Sequence, residues 1–184
     1  MRILPCNEET LCETAALLNA GGVAVIPTDT VYGLAAHPAF SEAVERLYSI
    51  KRRERGKKIA LLAADAAAVG TFGFPLPPKA QELAGRHWPG ALTVVIGEEG
   101  FRVPDHGWTR RLLAACGGVL RVTSANLSGG QPATDAPQAL ADVGLSADLV
   151  VDDGPSPGGV PSTVVRVCAD GGIEVIRKGS VSLD

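Results

Sequence analysis

The chain has 184 residues, 46% of them hydrophobic, and a formal net charge of -3, which suits a globular fold with a full core and excludes a disordered one. No apolar run approaches the roughly 20 residues needed to span a bilayer, and Glu8-Glu9 turns the start acidic too early for a signal peptide. Cys6, Cys12, Cys116 and Cys168 form no CxxC pair and no metal spacing; they read as small hydrophobes in a reducing compartment, and the protein as cytoplasmic.

Asn7 predicts a helix cap, with Glu8 and Glu9 at the positive end of the dipole and Leu11, Ala15 and Leu18 as an apolar stripe ended by Gly21-Gly22. Val23 to Ile26 reads as a buried strand stopped by Pro27. Ser41 opens a second helix, with Val44, Leu47 and Tyr48 on one face, and Ile59 to Ala63 is the next strand. Residues 78–87 look helical, and Pro89-Gly90 breaks that pattern before the strand Leu92 to Ile96. A helix over 109–116 is closed by Gly117-Gly118 and followed by a strand from Val119 to Val122. A short helix near Pro137 to Val143 leads to the strand Leu149 to Val151. The chain finishes with strands over Ser162 to Val167 and Ile173 to Arg177, joined by the turn Asp170-Gly171-Gly172. Strands alternating with helices give an α/β class, and the terminal hairpin makes the sheet mixed. With no repeat and no low-complexity linker, residues 1–184 read as a single domain.

One stretch stands out in charge. Lys51-Arg52-Arg53-Glu54-Arg55-Gly56-Lys57-Lys58 holds six cations and one anion in a chain that is acidic overall. Charge alone favours a solvated loop. Its place at a helix-to-strand junction gives the functional alternative, an anion clamp. Three polar segments follow strands: Pro27-Thr28-Asp29-Thr30, Thr123-Ser124-Ala125-Asn126-Leu127-Ser128-Gly129-Gly130, and Ser162-Thr163. Each reads as an ordinary turn or as a holder of a small polar ligand. No GxxxxGK[ST] and no GxGxxG is present. His37, His87 and His106 lack ligand spacing, so no residue is assigned to a metal, and Asp152-Asp153-Gly154 reads as a turn before a magnesium contact. The residues alone reach an α/β protein with an anion site and hydroxyl-rich loops. They do not reach a reaction.

Taken in order, these segments resemble the YrdC-type threonylcarbamoyl-AMP synthases: PTDTVYGL at 27–34, Lys51-x-Arg53, WPGALT at 88–93, RVP at 102–104, TSANLSG at 123–129, STVV at 162–165 and IRKG at 176–179. The ordered set covers nearly the whole chain and is similar to the short type without a further C-terminal domain. The resemblance implies an open, twisted, mixed sheet flanked by helices around a deep basic cavity. It implies a nucleotidyltransferase that joins L-threonine, bicarbonate or CO2 and ATP into threonylcarbamoyl-AMP and pyrophosphate, with magnesium accompanying ATP. A second enzyme system, the tRNA threonylcarbamoyl-transferase complex, then modifies adenosine 37 of tRNA. By the same resemblance Lys51 and Arg53 are catalytic and, with Thr93, Ser124, Asn126 and Arg177, bind ATP. Thr28, Thr30, Arg102, Ser162 and Thr163 surround the amino acid. The chain departs from the family pattern at Glu54 and Lys58, where many relatives carry proline, and at Leu62, where some carry histidine. Two other readings compete. An RNA-binding or ribosome-assembly module would use the basic cluster for phosphate contacts, against which stand the acidic balance and an aromatic content of 4%. A carbamoyl-transfer domain of a larger enzyme is the other.

Overall fold

The computed structural model describes residues 2–183. Asn7 caps the first helix as expected, its Oδ1 accepting from Thr10 N at 2.9 Å. In chain order the strands are β1 (Arg2–Pro5), β2 (Val23–Ile26), β3 (Gly33–Ala36), β4 (Leu61–Ala63), β5 (Leu92–Ile96), β6 (Glu99–Arg102), β7 (Val119–Ser124), β8 (Leu149–Asp152), β9 (Thr163–Val167) and β10 (Ile173–Arg177). The helices are α1 (Glu8–Asn19), α2 (Ser41–Lys51), α3 (Ala66–Thr71), α4 (Pro78–His87), α5 (Gly107–Ala115) and α6 (Ala136–Asp142). All ten strands join one open sheet in the order β1, β8, β2, β3, β7, β4, β6, β5, β9, β10. It is mixed: β1·β8, β2·β8, β4·β6 and β5·β9 pair parallel, and the other five neighbours pair antiparallel.

Because successive strand residues point to opposite faces, each strand serves two layers. In β2, Ala24 and Ile26 pack with Leu11 and Leu18 of α1 and Leu112 of α5. Val23 and Val25 pack with Leu47 of α2 and Ala139 of α6 on the other face. In the other half of the sheet, Leu92 and Val94 of β5 and Val165 of β9 pack on Ala80 and Leu83 of α4. Phe101 of β6 packs with Val69 of α3. The alternate residues of these strands, Thr93, Val95, Gly100, Arg102, Val164 and Arg166, face the other way and meet no helix. They line a cavity whose wall is strand and loop only.

Three strands and one helix lie outside the sequence expectations. β3 is Gly-Leu-Ala-Ala, whose small residues carry no strand preference; it pairs because a side chain at Gly33 would lie 2.5 Å from Val122 Cγ1 and glycine lets the backbones approach. β1 ends on Pro5 and is an edge strand, β6 contains Gly100, and α3 has six residues. Each is too short or too mixed for a periodic signal. No helix among the described residues is long and apolar enough to cross a membrane.

Candidate active site

The helix-free face of β5, β6 and β9 floors a cavity of about 850 Å3, walled by the loops over 28–33 and 53–60. Among the described residues Arg53, Lys57, Lys58, Arg102, Arg166 and Arg177 line it against a single carboxylate, Glu98.

Arg102 is the most buried cation of this wall, 4% exposed. Its Nη1 donates to Thr30 Oγ1 at 2.7 Å, and its Nη2 to Thr28 Oγ1 at 3.2 Å and Asp29 Oδ1 at 2.9 Å. Thr28 Oγ1 in turn donates to Val31 O at 2.7 Å and accepts from Thr30 N at 3.1 Å, so the turn after β2 is built around the guanidinium. Nε is buried without a hydrogen-bond partner among the described residues. A buried donor left unpaired is costly, and Nη2 cannot help it form a fork, being committed to Thr28 and Asp29. Burial pushes the Arg102 guanidinium down from the usual arginine range, Asp29 opposes that, and Arg177 adds to it.

On the β9 side, Thr93 Oγ1 and Ser162 Oγ share a hydrogen bond at 2.8 Å. Arg177 donates through Nη2 to Ser162 O at 2.8 Å and to Ser162 Oγ at 3.2 Å. Its direction is set by a bulge: the β9·β10 register slips between Val175 and Arg177, which puts Arg177 opposite Val164. Directly opposed residues share a face, so the extra residue, Ile176, turns Arg177 to the cavity side. Arg177 is lowered by desolvation and then by Arg53. Neither Arg53 nor Arg177 has a carboxylate partner among the described residues. Arg53 instead braces its own loop, Nε donating to Lys57 O at 2.8 Å and Nη2 to Lys58 O at 3.1 Å.

The remaining cations of the cluster divide. Arg55 pairs with Glu45 at 2.7 Å, Lys57 with Glu54 at 3.0 Å and Lys58 with Glu98 at 2.7 Å, all at exposed positions. Lys51 is buried, and its ammonium donates to the carbonyl oxygens of Ser124 and Asn126. Burial, then Arg53, hold the Lys51 pKa down to about 8, with Asp142 acting the other way.

Of the residues expected from sequence, Thr28, Thr30, Arg53, Thr93, Arg102, Ser124, Ser162 and Arg177 meet on this one wall. Lys51, Asn126 and Thr163 do not. Asn126 is buried and donates to Leu127 O and Gly130 O within its own loop. Ser162 and Thr163 are adjacent, so their side chains take opposite faces, and of the two only Ser162 lines the cavity. Thr163 Oγ1 holds the C-terminal tail, accepting from Gly179 N at 3.0 Å and Val181 N at 3.1 Å and donating to Val181 O at 3.0 Å. Asp29, read from sequence only as part of the polar 27–30 segment, is the counter-ion of Arg102. Arg166 also lines the cavity, ion-paired with Glu174 at 2.9 Å, and its phase with Ser162 and Val164 was the signal for it. No group of three or more His, Cys, Asp or Glu among the described residues is arranged to hold a metal. Asp152 Oδ1 accepts from Gly154 N at 3.0 Å, a turn.

The Sua5/YciO/YrdC family model, described as telomere recombination, matches residues 16–179. The chain belongs to this family. It is 34% identical over 194 residues to the threonylcarbamoyl-AMP synthase of Bacillus subtilis (strain 168), across 97% of this chain and 56% of that protein. It is 34% identical over 191 residues to the threonylcarbamoyl-AMP synthase of Rattus norvegicus, across 93% of this chain and 67% of that one. The crystal structure of P. abyssi Sua5 complexed with L-threonine matches with a TM-score of 0.89 at 26% identity, across 96% of this chain and 57% of that one. The chain thus spans little more than half the length of the Bacillus subtilis and P. abyssi relatives.

Proposed function

We propose that this cavity makes threonylcarbamoyl-AMP and pyrophosphate from L-threonine, bicarbonate or CO2 and ATP. The observation that carries the proposal is the row Arg53, Arg177 and Arg102 along one wall, mutually repelling and matched among the described residues by Asp29 alone. Uncompensated cations facing one cavity favour anionic ligands, and this reaction brings two: a triphosphate and an amino-acid carboxylate.

The threonine amine adds to CO2 and loses a proton to give a carbamate; a carbamate oxygen then attacks the α-phosphorus as the bond to the β-phosphate's bridging oxygen breaks, and negative charge grows on the departing pyrophosphate. Arg53 and Arg177 are placed to neutralise that charge, and the Ser124 loop with Thr93 to hold the nucleotide. Arg102 supplies the positive charge that answers the threonine carboxylate, Thr30 and Ser162 offer hydroxyls to the rest, and Thr28, whose hydroxyl hydrogen is spent on Val31 O, holds the turn that frames them. Catalysis is by positioning and charge stabilisation, without a covalent nucleophile. Magnesium enters bound to ATP: Glu98, the one carboxylate of the wall among the described residues, is ion-paired with Lys58, so the wall does not fit a protein-held magnesium site. The product passes to the tRNA threonylcarbamoyl-transferase complex, for adenosine 37 of tRNA, in the cytoplasm. An RNA-binding module is less well served, since Arg55, Lys57 and Lys58 are already neutralised by neighbouring carboxylates.

The test supplies ATP, bicarbonate and each amino acid in turn, and follows pyrophosphate and the adenylate. Threonine should support turnover, serine should retain part of it, and valine should be poor, because a site that reads a hydroxyl rejects the analogue without one. Salt-sensitive tRNA binding with no ATP binding would replace the synthase by the RNA module.

A further inference from the structure

Lys51 ends α2 on the same stripe as Ala43 and Leu47, at successive i, i+4 steps, and like them is buried. Besides the carbonyl oxygens of Ser124 and Asn126, its ammonium lies 3.5 Å from Asn126 Oδ1. Its own carbonyl accepts from Ser128 N at 2.9 Å. The Asn126 amide closes the other end of the loop, donating to Leu127 O at 2.8 Å and Gly130 O at 2.9 Å. Neither residue reaches the cavity wall, whereas Ser124 does. An ammonium among carbonyl oxygens gathers dipoles that would otherwise repel each other, as a bound monovalent cation would. To meet a phosphate in the cavity it would have to leave those oxygens buried and without a donor. Arg53, two residues on and past the left-handed turn at Arg52 (φ 50°), already faces the cavity.

We infer that Lys51 is a positioning residue, an internal cation that shapes the 124–130 loop so that Ser124 faces the nucleotide, while Arg53 meets the phosphate charge directly. This rests on the synthase reading above, but its first test needs no substrate. In the ligand-free protein, Lys51→Met should speed amide hydrogen exchange at Asn126, Ser128 and Gly130 by about tenfold or more, as expected when a local closed state is lost. Arg53→Ala should leave those amides within about twofold of the wild type. Lys51→Arg separates charge from shape, since it keeps the cation but a planar guanidinium cannot take the place of a compact ammonium. It should also loosen the loop and raise the KM for ATP by about tenfold, while a direct phosphate contact would survive the change. In Lys51→Ala, added ammonium or methylammonium should restore both loop protection and pyrophosphate formation, and tetramethylammonium neither. Wild-type exchange at 124–130 in Lys51→Met or Lys51→Arg, with turnover lost, would overturn the inference in favour of phosphate contact. A loosened loop with unchanged KM and kcat would overturn it equally. A wild type that forms no pyrophosphate would defeat the synthase reading instead, and the exchange data would then still report on the loop.

Discussion

Asp29→Asn isolates the compensation of Arg102 with almost no change of shape. In the wild type the two side chains are 5% and 11% exposed and meet at 2.9 Å. Asparagine keeps an oxygen acceptor for Nη2 and removes the charge. Taking one partner from a buried ion pair costs about 3–5 kcal/mol, and the retained acceptor points to the lower end, about 3 kcal/mol. For a chain of this length each kcal/mol moves Tm by about 2–4 °C, so a fall of about 6–12 °C is expected in thermal unfolding. Threonine binding should move the other way. An arginine relieved of its own carboxylate attracts a substrate carboxylate more strongly, so L-threonine should raise Tm further in the variant than in the wild type, and calorimetry should show tighter binding. An unchanged Tm would refute the buried pair as the source of stability. A lower Tm with weakened threonine binding would refute the docking of the carboxylate on Arg102.

Arg53→Ala should slow pyrophosphate release by about ten- to a thousand-fold, the scale of losing a contact to developing charge, while Arg55→Ala, an exposed partner of Glu45, should stay within about twofold. Thr163→Val is nearly isosteric but deprives Gly179 N, Val181 N and Val181 O of their partner; it should cost about 1–3 kcal/mol in urea unfolding and raise the KM for ATP through the loosened Arg177. Equal KM values would show that the tail does not seat Arg177. Lys51 has a folded pKa of about 8 against an ordinary 10.5, so between those values the unfolded chain binds more protons than the folded one. Stability of the wild type relative to Lys51→Met should therefore rise with pH from about 8 to 10.5, and a flat difference in denaturant titrations would contradict the burial of its charge.

Long periodic segments were legible. α1, α2 and α4 start where Asn7, Ser41 and the run after Pro77 place them, and the strands β2, β5 and β10 match to the residue. The terminal hairpin correctly announced a mixed sheet. β3 was not legible because its pairing rests on the absence of a side chain at Gly33, a close approach that no propensity reports. β6 and α3 were lost between better signals: one carries a glycine and the other has only six residues. The bulge that aims Arg177 is a property of two paired strands, and one strand's sequence does not contain it.

The site residues divide on a finer physical question, which is where each side chain can point once its element is fixed. Part of that was readable. Val165 belongs to a core strand, so period two turns Thr163 with it toward the core and Ser162 with Val164 and Arg166 toward the cavity. The second helix was expected to bury Val44, Leu47 and Tyr48, but its buried stripe is Ala43, Leu47 and Lys51, and Arg53 lies beyond the helix end. Adjacent members of one motif thus have different neighbours: a charged residue on an apolar stripe must find its partners inside the protein, and here it finds backbone carbonyls. Those carbonyls belong to a segment more than 70 residues away in sequence, where only the strand order β3, β7, β4 brings them beside the end of α2. Arg53 has no carboxylate partner among the described residues, and under the synthase reading its charge is answered by the ligand.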